Sequence, residues 1–176
     1  MKLVLKNPEN FVNQRINIFK KEVPCLDTAW HYHPEYELLY ISKSSGIRFV
    51  GDNVSYFSPG ELVLAGSYLP HLWRNDEAYY EKDGDLMVST IVMKFKINFM
   101  GEGTFDNSEF VEIKNLLEQS NFGVSFNKSI GEELHDEIME ITNLSKGQQS
   151  ISLLNILYKL SLCKDEDKSI LSSTDM

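Results

Sequence analysis

Three of the four histidines fall in two short segments, TrpHisTyrHisProGluTyrGlu at 30–37 and LeuProHisLeuTrpArgAsn at 69–75. Residues two apart in an extended strand share a face. One strand would therefore present His31, His33 and Glu37 together and turn Tyr36, Leu38 and Tyr40 to the other side. A neighbouring strand carrying His71 completes a set of three imidazoles and one carboxylate. Neutral imidazole nitrogen and anionic oxygen suit a borderline divalent ion, so zinc, iron, nickel and manganese are the candidate metals, with open positions left for water or ligand. The competing reading is a polar lining that holds no metal. Glu35 is the nearby acid–base candidate, whereas His135, inside GluGluLeuHisAspGlu, reads as a solvated helix residue.

Aromatic and basic residues stand beside these segments. Trp30, Phe49, Trp73 and Arg48 are candidate ligand-binding residues, because a small-molecule pocket mixes apolar faces with a few polar anchors. Arg48 reads equally as an exposed cross-strand charge, and Asn75 as a side chain that bonds nearby backbone. No GxSxG elbow is present, Cys25 has no assignable base, and GlyGluGly at 101–103 lacks the lysine and context of a phosphate loop.

The elements that must position these groups change character along the chain. From residue 14 to about 97, short alternating or apolar runs are broken by turn residues, the pattern of an antiparallel barrel or sandwich. Strands are expected over 15–23, 36–42, 47–50, 54–57, 61–65, 69–74 and 86–96, with turns at SerSerGly (44–46), ProGly (59–60) and LysAspGlyAsp (82–85). GlyAspAsn at 51–53 should close a tight hairpin. After Gly103 the period becomes 3.6. Phe110, Ile113, Leu116 and Leu117 mark one helix, and Ile130, Leu134, Ile138, Ile141 and Leu144 mark a second. A third is expected from about Ser150, beyond LysGlyGlnGln. Apolar on more than one side, it makes Leu153, Ile156, Leu157 and Leu160 candidate pairing residues. The division is 1–100 for the β part, 101–163 for the helical part and 164–176 for a linker.

Composition bounds the function. With 26 acidic and 17 basic residues the net charge is −9, which opposes binding to a polyanion by this chain alone. Two distant cysteines suggest neither a disulfide framework nor a zinc finger. The N-terminal apolar run is too short for a signal peptide, and a cytoplasmic location is expected.

The segment HisTyrHisProGluTyrGlu resembles the first motif of the cupins, with His31, His33 and Glu37 at matching spacing. Cys25 replaces the motif's leading glycine, and Gly46 comes two residues late. The later part departs further and is similar to ligand-binding domains of AraC-type regulators: TyrGluLeuLeuTyr at 36–40, ProGlyGluLeuValLeu at 59–64 and ProHisLeuTrpArgAsn at 70–75. The resemblance covers about residues 15–163. It implies a mainly β fold, a cupin-like double-stranded β-helix followed by about three helices, the last pairing two subunits as a homodimer. It implies a small-molecule effector, a sugar among the candidates, with DNA bound only through a C-terminal helix-turn-helix domain outside this chain. The alternative it leaves is a metal-dependent cupin oxygenase or isomerase holding its ion with His31, His33, Glu37 and His71. A sugar-binding module with no transcriptional role is a third reading.

Overall fold

A computed structural model describes residues 2–6, 14–26, 29–81 and 84–174. Most of the N-terminal segment and the first half of the expected 82–85 turn thus lie outside the described residues. The β part consists of β1 (Val4–Leu5), β2 (Ile16–Val23), β3 (His31–Tyr32), β4 (Tyr36–Lys43), β5 (Gly46–Val50), β6 (Asn53–Phe57), β7 (Leu62–Ala65), β8 (His71–Asn75) and β9 (Val88–Phe95). There follow α1 (Val111–Gln119), β10 (Val124–Phe126), α2 (Lys128–Glu133), α3 (His135–Glu140), α4 (Lys146–Ser161) and β11 (Lys168–Ile170).

The strands make two open sheets. One runs β1-β3-β8-β5-β6, the other β11-β10-β7-β4-β9-β2. The 51–53 turn closes β5 onto β6 through a two-residue loop, where Gly51 takes φ 56°, the positive value a II′ hairpin assigns to glycine. β4 is buried through four successive residues, Leu38, Leu39, Tyr40 and Ile41, because the six-stranded sheet is covered on both faces. Leu39 and Ile41 join Val63, Ala65 and Val92 against Val50, Phe57 and Trp73 of the other sheet. Leu38 and Tyr40 join Leu62, Leu64, Ile91 and Met93 against the helices. Burying each such side chain stabilises the fold by roughly 1.5–3 kcal/mol.

The helical part departs from expectation in three places. The second helix is split into α2 and α3 at Leu134, whose φ −89° and ψ 0° leave the helical region. Its stripe survives, since Leu134, Ile138 and Ile141 are all in the helix-side core. LysGlyGlnGln is the first turn of α4 and no separator. Ser145 and Gln148 form a reciprocal capping box there, which satisfies backbone N–H groups and starts the helix four residues early.

The third departure concerns the ends of the chain's helical part. Leu153, Ile156, Leu157 and Leu160, expected on a pairing face, are each 0% exposed inside this chain's own core. The exposed apolar side chains are Ile151, Tyr158 and Leu162. An all-round apolar helix satisfies its own core first, and what is left open is the opposite stripe. The expected linker is also packed: β11 pairs with β10, and Ser172 and Ser173 hydrogen-bond Asp52 at the β5–β6 turn. Among the described residues, no helix is long and apolar enough to cross a membrane.

Candidate functional site

The histidine segment is two strands, contrary to the single strand expected. His31 belongs to β3 of the five-stranded sheet, Glu37 to β4 of the six-stranded sheet, and His33 lies in the connection. Pro34 explains the break, since a residue without N–H cannot continue a central ladder. The connection is pinned where Tyr68 N–H donates to His33 O at 2.8 Å and Ser67 Oγ donates to Pro34 O at 2.6 Å. His71 arrives through β8, whose single pairing with β3 sets His31 directly opposite His71. The four groups still converge, approached from both sheets.

One ring nitrogen from each of His31, His33 and His71 lies within 4.8 Å of the others. Ring centroids are 4.5 Å apart for His31 and His71 and 5.0 Å for His33 and His71. Each ring is oriented the same way. Nδ1 of His31 faces Ala29 O at 2.8 Å, that of His33 faces Glu35 O at 3.0 Å, and that of His71 faces Leu69 O at 2.8 Å. A carbonyl oxygen only accepts, so every Nδ1 carries the proton and donates, which leaves Nε2 of His31 and His71 to offer a lone pair, whereas Nε2 of His33 is already hydrogen-bonded to Glu37 Oε2 at 3.0 Å. This backbone-locked tautomer is the arrangement that prepares imidazoles to coordinate metal. His71 Nε2 is buried and has no hydrogen-bond partner among the described residues.

A divalent ion is thus compatible with His31, His33 and His71 as donors, and it would supply Lewis acidity and an open coordination position. Bonds of about 2.0–2.1 Å ask for donors roughly 3.4 Å apart, so the rings would have to close by about an ångström. Glu37 is already engaged. Its Oε2 lies 3.0 Å from His33 Nε2, 3.7 Å from His71 Nε2 and 2.9 Å from Lys94 Nζ. Although burial pushes the Glu37 pKa up, the Lys94 ammonium and the imidazoles outweigh it and hold the carboxyl well below its ordinary range. Burial, then the neighbouring His71, lowers His31 to about 3, so it is neutral at physiological pH. Glu35, the expected acid–base residue, is buried on the far side of His33, with Oε2 3.6 Å from Nδ1. It supports that ring and does not face the convergence point of the Nε2 atoms.

Lys94 was missed by sequence reasoning. Its signal was present: β9 alternates, and Lys94 is in phase with Thr90 and Val92, which point between the sheets. A charge at an interior phase marks a polar site.

Beside the cluster lies a cavity of about 350 Å³ between the sheets. Phe19, Leu26, Leu39, Trp73 and Val92 supply its apolar walls, and Lys21, His31, Glu37, Thr90 and Lys94 its polar groups. Of the four expected ligand-binding residues, Trp73 lines this cavity. Arg48 is buried, not exposed, with Nε 3.0 Å from Glu61 Oε1, an ion pair away from the lining. Trp30 and Phe49 pack edge to face at 6.4 Å, also away from it. Asn75 bonds backbone, but distant and not nearby backbone: it accepts from Leu26 N–H at 2.8 Å and donates to Ser45 O at 3.2 Å.

His135 is half-buried and meets Tyr40 Oη at 2.8 Å through Nδ1, so it is no free surface residue. This bond ties α3 to β4 on the face opposite the cavity. Leu39 touches the cavity, while Leu38 and Tyr40 touch the helical layer.

No family model matches the chain, and no curated protein matches it. Among solved structures, it is similar to a cupin 2 conserved barrel domain protein from Rhodopseudomonas palustris, at 19% identity and TM-score 0.37, covering 48% of this chain and 54% of that one. It is also similar to apo ToxT K231A from Vibrio cholerae, at 14% identity and TM-score 0.49, covering 83% of this chain and 54% of that one. Wild-type ToxT from Vibrio cholerae with an unsaturated fatty acid bound gives 12% identity and TM-score 0.47, covering 88% and 60%. The chain spans about half the length of the first of these and a similar share of ToxT. It is thus similar both to cupin barrel proteins and to ToxT, a regulator of the AraC family.

Proposed function

We propose that this chain is the effector-sensing and pairing part of an AraC-type transcription regulator, in which DNA is bound by a separate C-terminal domain. The observation that carries this reading is the position of the cavity. Its wall strands β4 and β9 are the same strands on which the helices rest, so an occupant that shifts Leu39 or Val92 shifts the seat of Leu38, Tyr40 and Ile91. Coupling needs only that an effector favour one of two seatings of the helical layer. Apolar walls with a few convergent polar groups fit a small organic effector. Pairing through the exposed stripe of α4 is part of the same proposal.

The test is a thermal-shift screen of the chain with small metabolites, repeated on Leu39→Trp, which fills the cavity. Compounds that stabilise the native chain and lose their effect in Leu39→Trp support a sensor. If every stabilising compound acts equally on both proteins, the cavity is not the site. The second reading, a metal-dependent cupin enzyme, is favoured by the three locked imidazoles and opposed by the ammonium on Glu37. Elemental analysis of protein purified without chelator decides it, since substoichiometric metal removes that reading.

A further inference from the structure

The two sheets end in edges of unequal protection. β2, at one end of the six-stranded sheet, carries Lys20, Lys21 and Glu22, and β11, at the other end, opens with Lys168. In the five-stranded sheet the end strand β1 is two residues long. Charge and shortness of this kind keep an edge from pairing with another chain. β6, at the remaining end, has neither. Its five residues are AsnValSerTyrPhe, and β5 is its one strand partner among the described residues.

The register shows which backbone groups that edge offers. In an antiparallel strand every second residue bonds one neighbour and the residues between bond the other. Gly51 N–H donates to Pro70 O at 2.9 Å beside β8, so Ile47 and Phe49, in the same phase, are the residues of β5 that bond β8. Gly46, Arg48 and Val50 therefore bond β6, through Phe57, Ser55 and Asn53. The N–H and C=O groups of Val54 and Tyr56 are left pointing out from the edge, and no other element bonds them among the described residues. Their side chains are open as well, Val54 59% and Tyr56 81% exposed. Alternation sets both on the face away from Phe57, which is in the core between the sheets.

We infer that β6 pairs antiparallel with β6 of a second copy of this chain, about a two-fold axis at Ser55, joining the two five-stranded sheets into one. That axis sets Val54 of each copy opposite Tyr56 of the other, so the outward N–H and C=O groups of both copies satisfy each other. The same register puts a β-branched side chain against an aromatic one on both sides of the axis, a favourable cross-strand pair. Ile47 beside Tyr56 and Phe49 beside Val54 extend that apolar row into each copy. A second copy fits better than an unrelated extended peptide because the edge is complementary to itself, and with no charge in β6 the acidic chain brings no like charges together at the axis. A five-residue edge is small beside the roughly 1,200–2,000 Å² of a stable interface, so the pairing is weak and concentration-dependent. It is separate from the exposed stripe of α4, which belongs to the helical side of the six-stranded sheet, and it rests neither on that stripe nor on the cavity.

Sedimentation equilibrium and thiol cross-linking test it on the intact chain, both native and carrying Ile151→Glu with Tyr158→Glu so that pairing through α4 is not what is read. Ser55→Cys puts a thiol on the axis, where opposed Cα atoms of a pair without hydrogen bonds lie about 4.5 Å apart, within reach of a disulfide. It should give a covalent dimer under mild oxidation, and the chain with only Cys25 and Cys163 should not. Val54→Glu alone and Tyr56→Lys alone should each weaken association about tenfold or more. Both changes on one chain should restore it, because each new acid then faces a new base of the other copy. Unchanged far-ultraviolet spectra show that the variants fold. A double variant as weak as the single ones overturns the inference. So does a chain that stays monomeric at millimolar concentration while Ser55→Cys gives no cross-link, an outcome that leaves the edge to an extended segment of another protein.

Discussion

Lys94 and Glu37 face each other across the β4–β9 ladder, and Nζ stands 2.9 Å from Oε2. The carboxylate that would complete a three-histidine metal site is therefore neutralised by the protein's own cation. A buried ion pair that loses one partner leaves an uncompensated charge, a large effect compared with an exposed pair. Replacing Lys94 by Met should lower stability by about 3 kcal/mol in the presence of chelator. The same change should tighten binding of Co2+ or Ni2+ by tenfold or more, read by competition with a chromophoric chelator. Unchanged metal affinity would show that the ammonium does not compete for Glu37.

Stability should fall as pH drops from about 6.5. His31 is lowered to about 3 by burial and by His71, so between its unfolded value of 6.5 and that figure the unfolded chain binds the extra proton. Each such proton removes up to about 1.4 kcal/mol per pH unit. Glu37, lowered by Lys94 and the imidazoles, acts in the same direction but only below about 4.5. Urea midpoints at pH 7, 6 and 5 should therefore decline in the native chain and stay flatter in His31→Phe, both measured with chelator. Equal slopes would exclude His31 as the source.

Gly131 marks the tightest seat of helix on sheet. A Cβ there would lie 2.0 Å from Gly60 O, a backbone atom, and Gly60 itself sits at φ 92°. Alanine is the better helix former by about 1 kcal/mol, but overpacking against backbone costs about 1–3 kcal/mol or more. The clash should win, with Gly131→Ala less stable by about 2 kcal/mol in urea denaturation. A neutral result would mean that α2 can slide off the turn before β7.

On α4 the two faces should separate by measurement. Leu157→Ala, at a position 0% exposed, should cost about 2–5 kcal/mol. Ile151→Glu and Tyr158→Glu, at positions 64% and 45% exposed, should change stability by no more than about 0.5 kcal/mol. If the chain pairs through this helix, those two changes shift sedimentation velocity toward monomer at high concentration. Pairing that survives both would move the interface elsewhere.

The seven expected strands and the turns at 44–46, 51–53 and 59–60 were legible in the amino-acid order because alternation and turn chemistry are local. Ile16–Val23, Tyr36–Lys43 and Val88–Phe95 fall within a residue or two of the runs that period-two patterning marked. The cluster was legible as composition: two short segments hold three of the four histidines, and the first of them also carries Glu37, wherever the fold might bring them. Other relationships belong to the tertiary structure, because they join residues far apart in the chain. Pro34 sends His31 and Glu37 to different sheets, Lys94 meets Glu37 across a ladder 57 positions long in sequence (94 − 37), and Tyr40 finds His135 at |i−j| = 95. The buried face of α4 is of the same kind. Periodicity shows that a helix is apolar on two sides, and only the position of the sheet determines which side it covers.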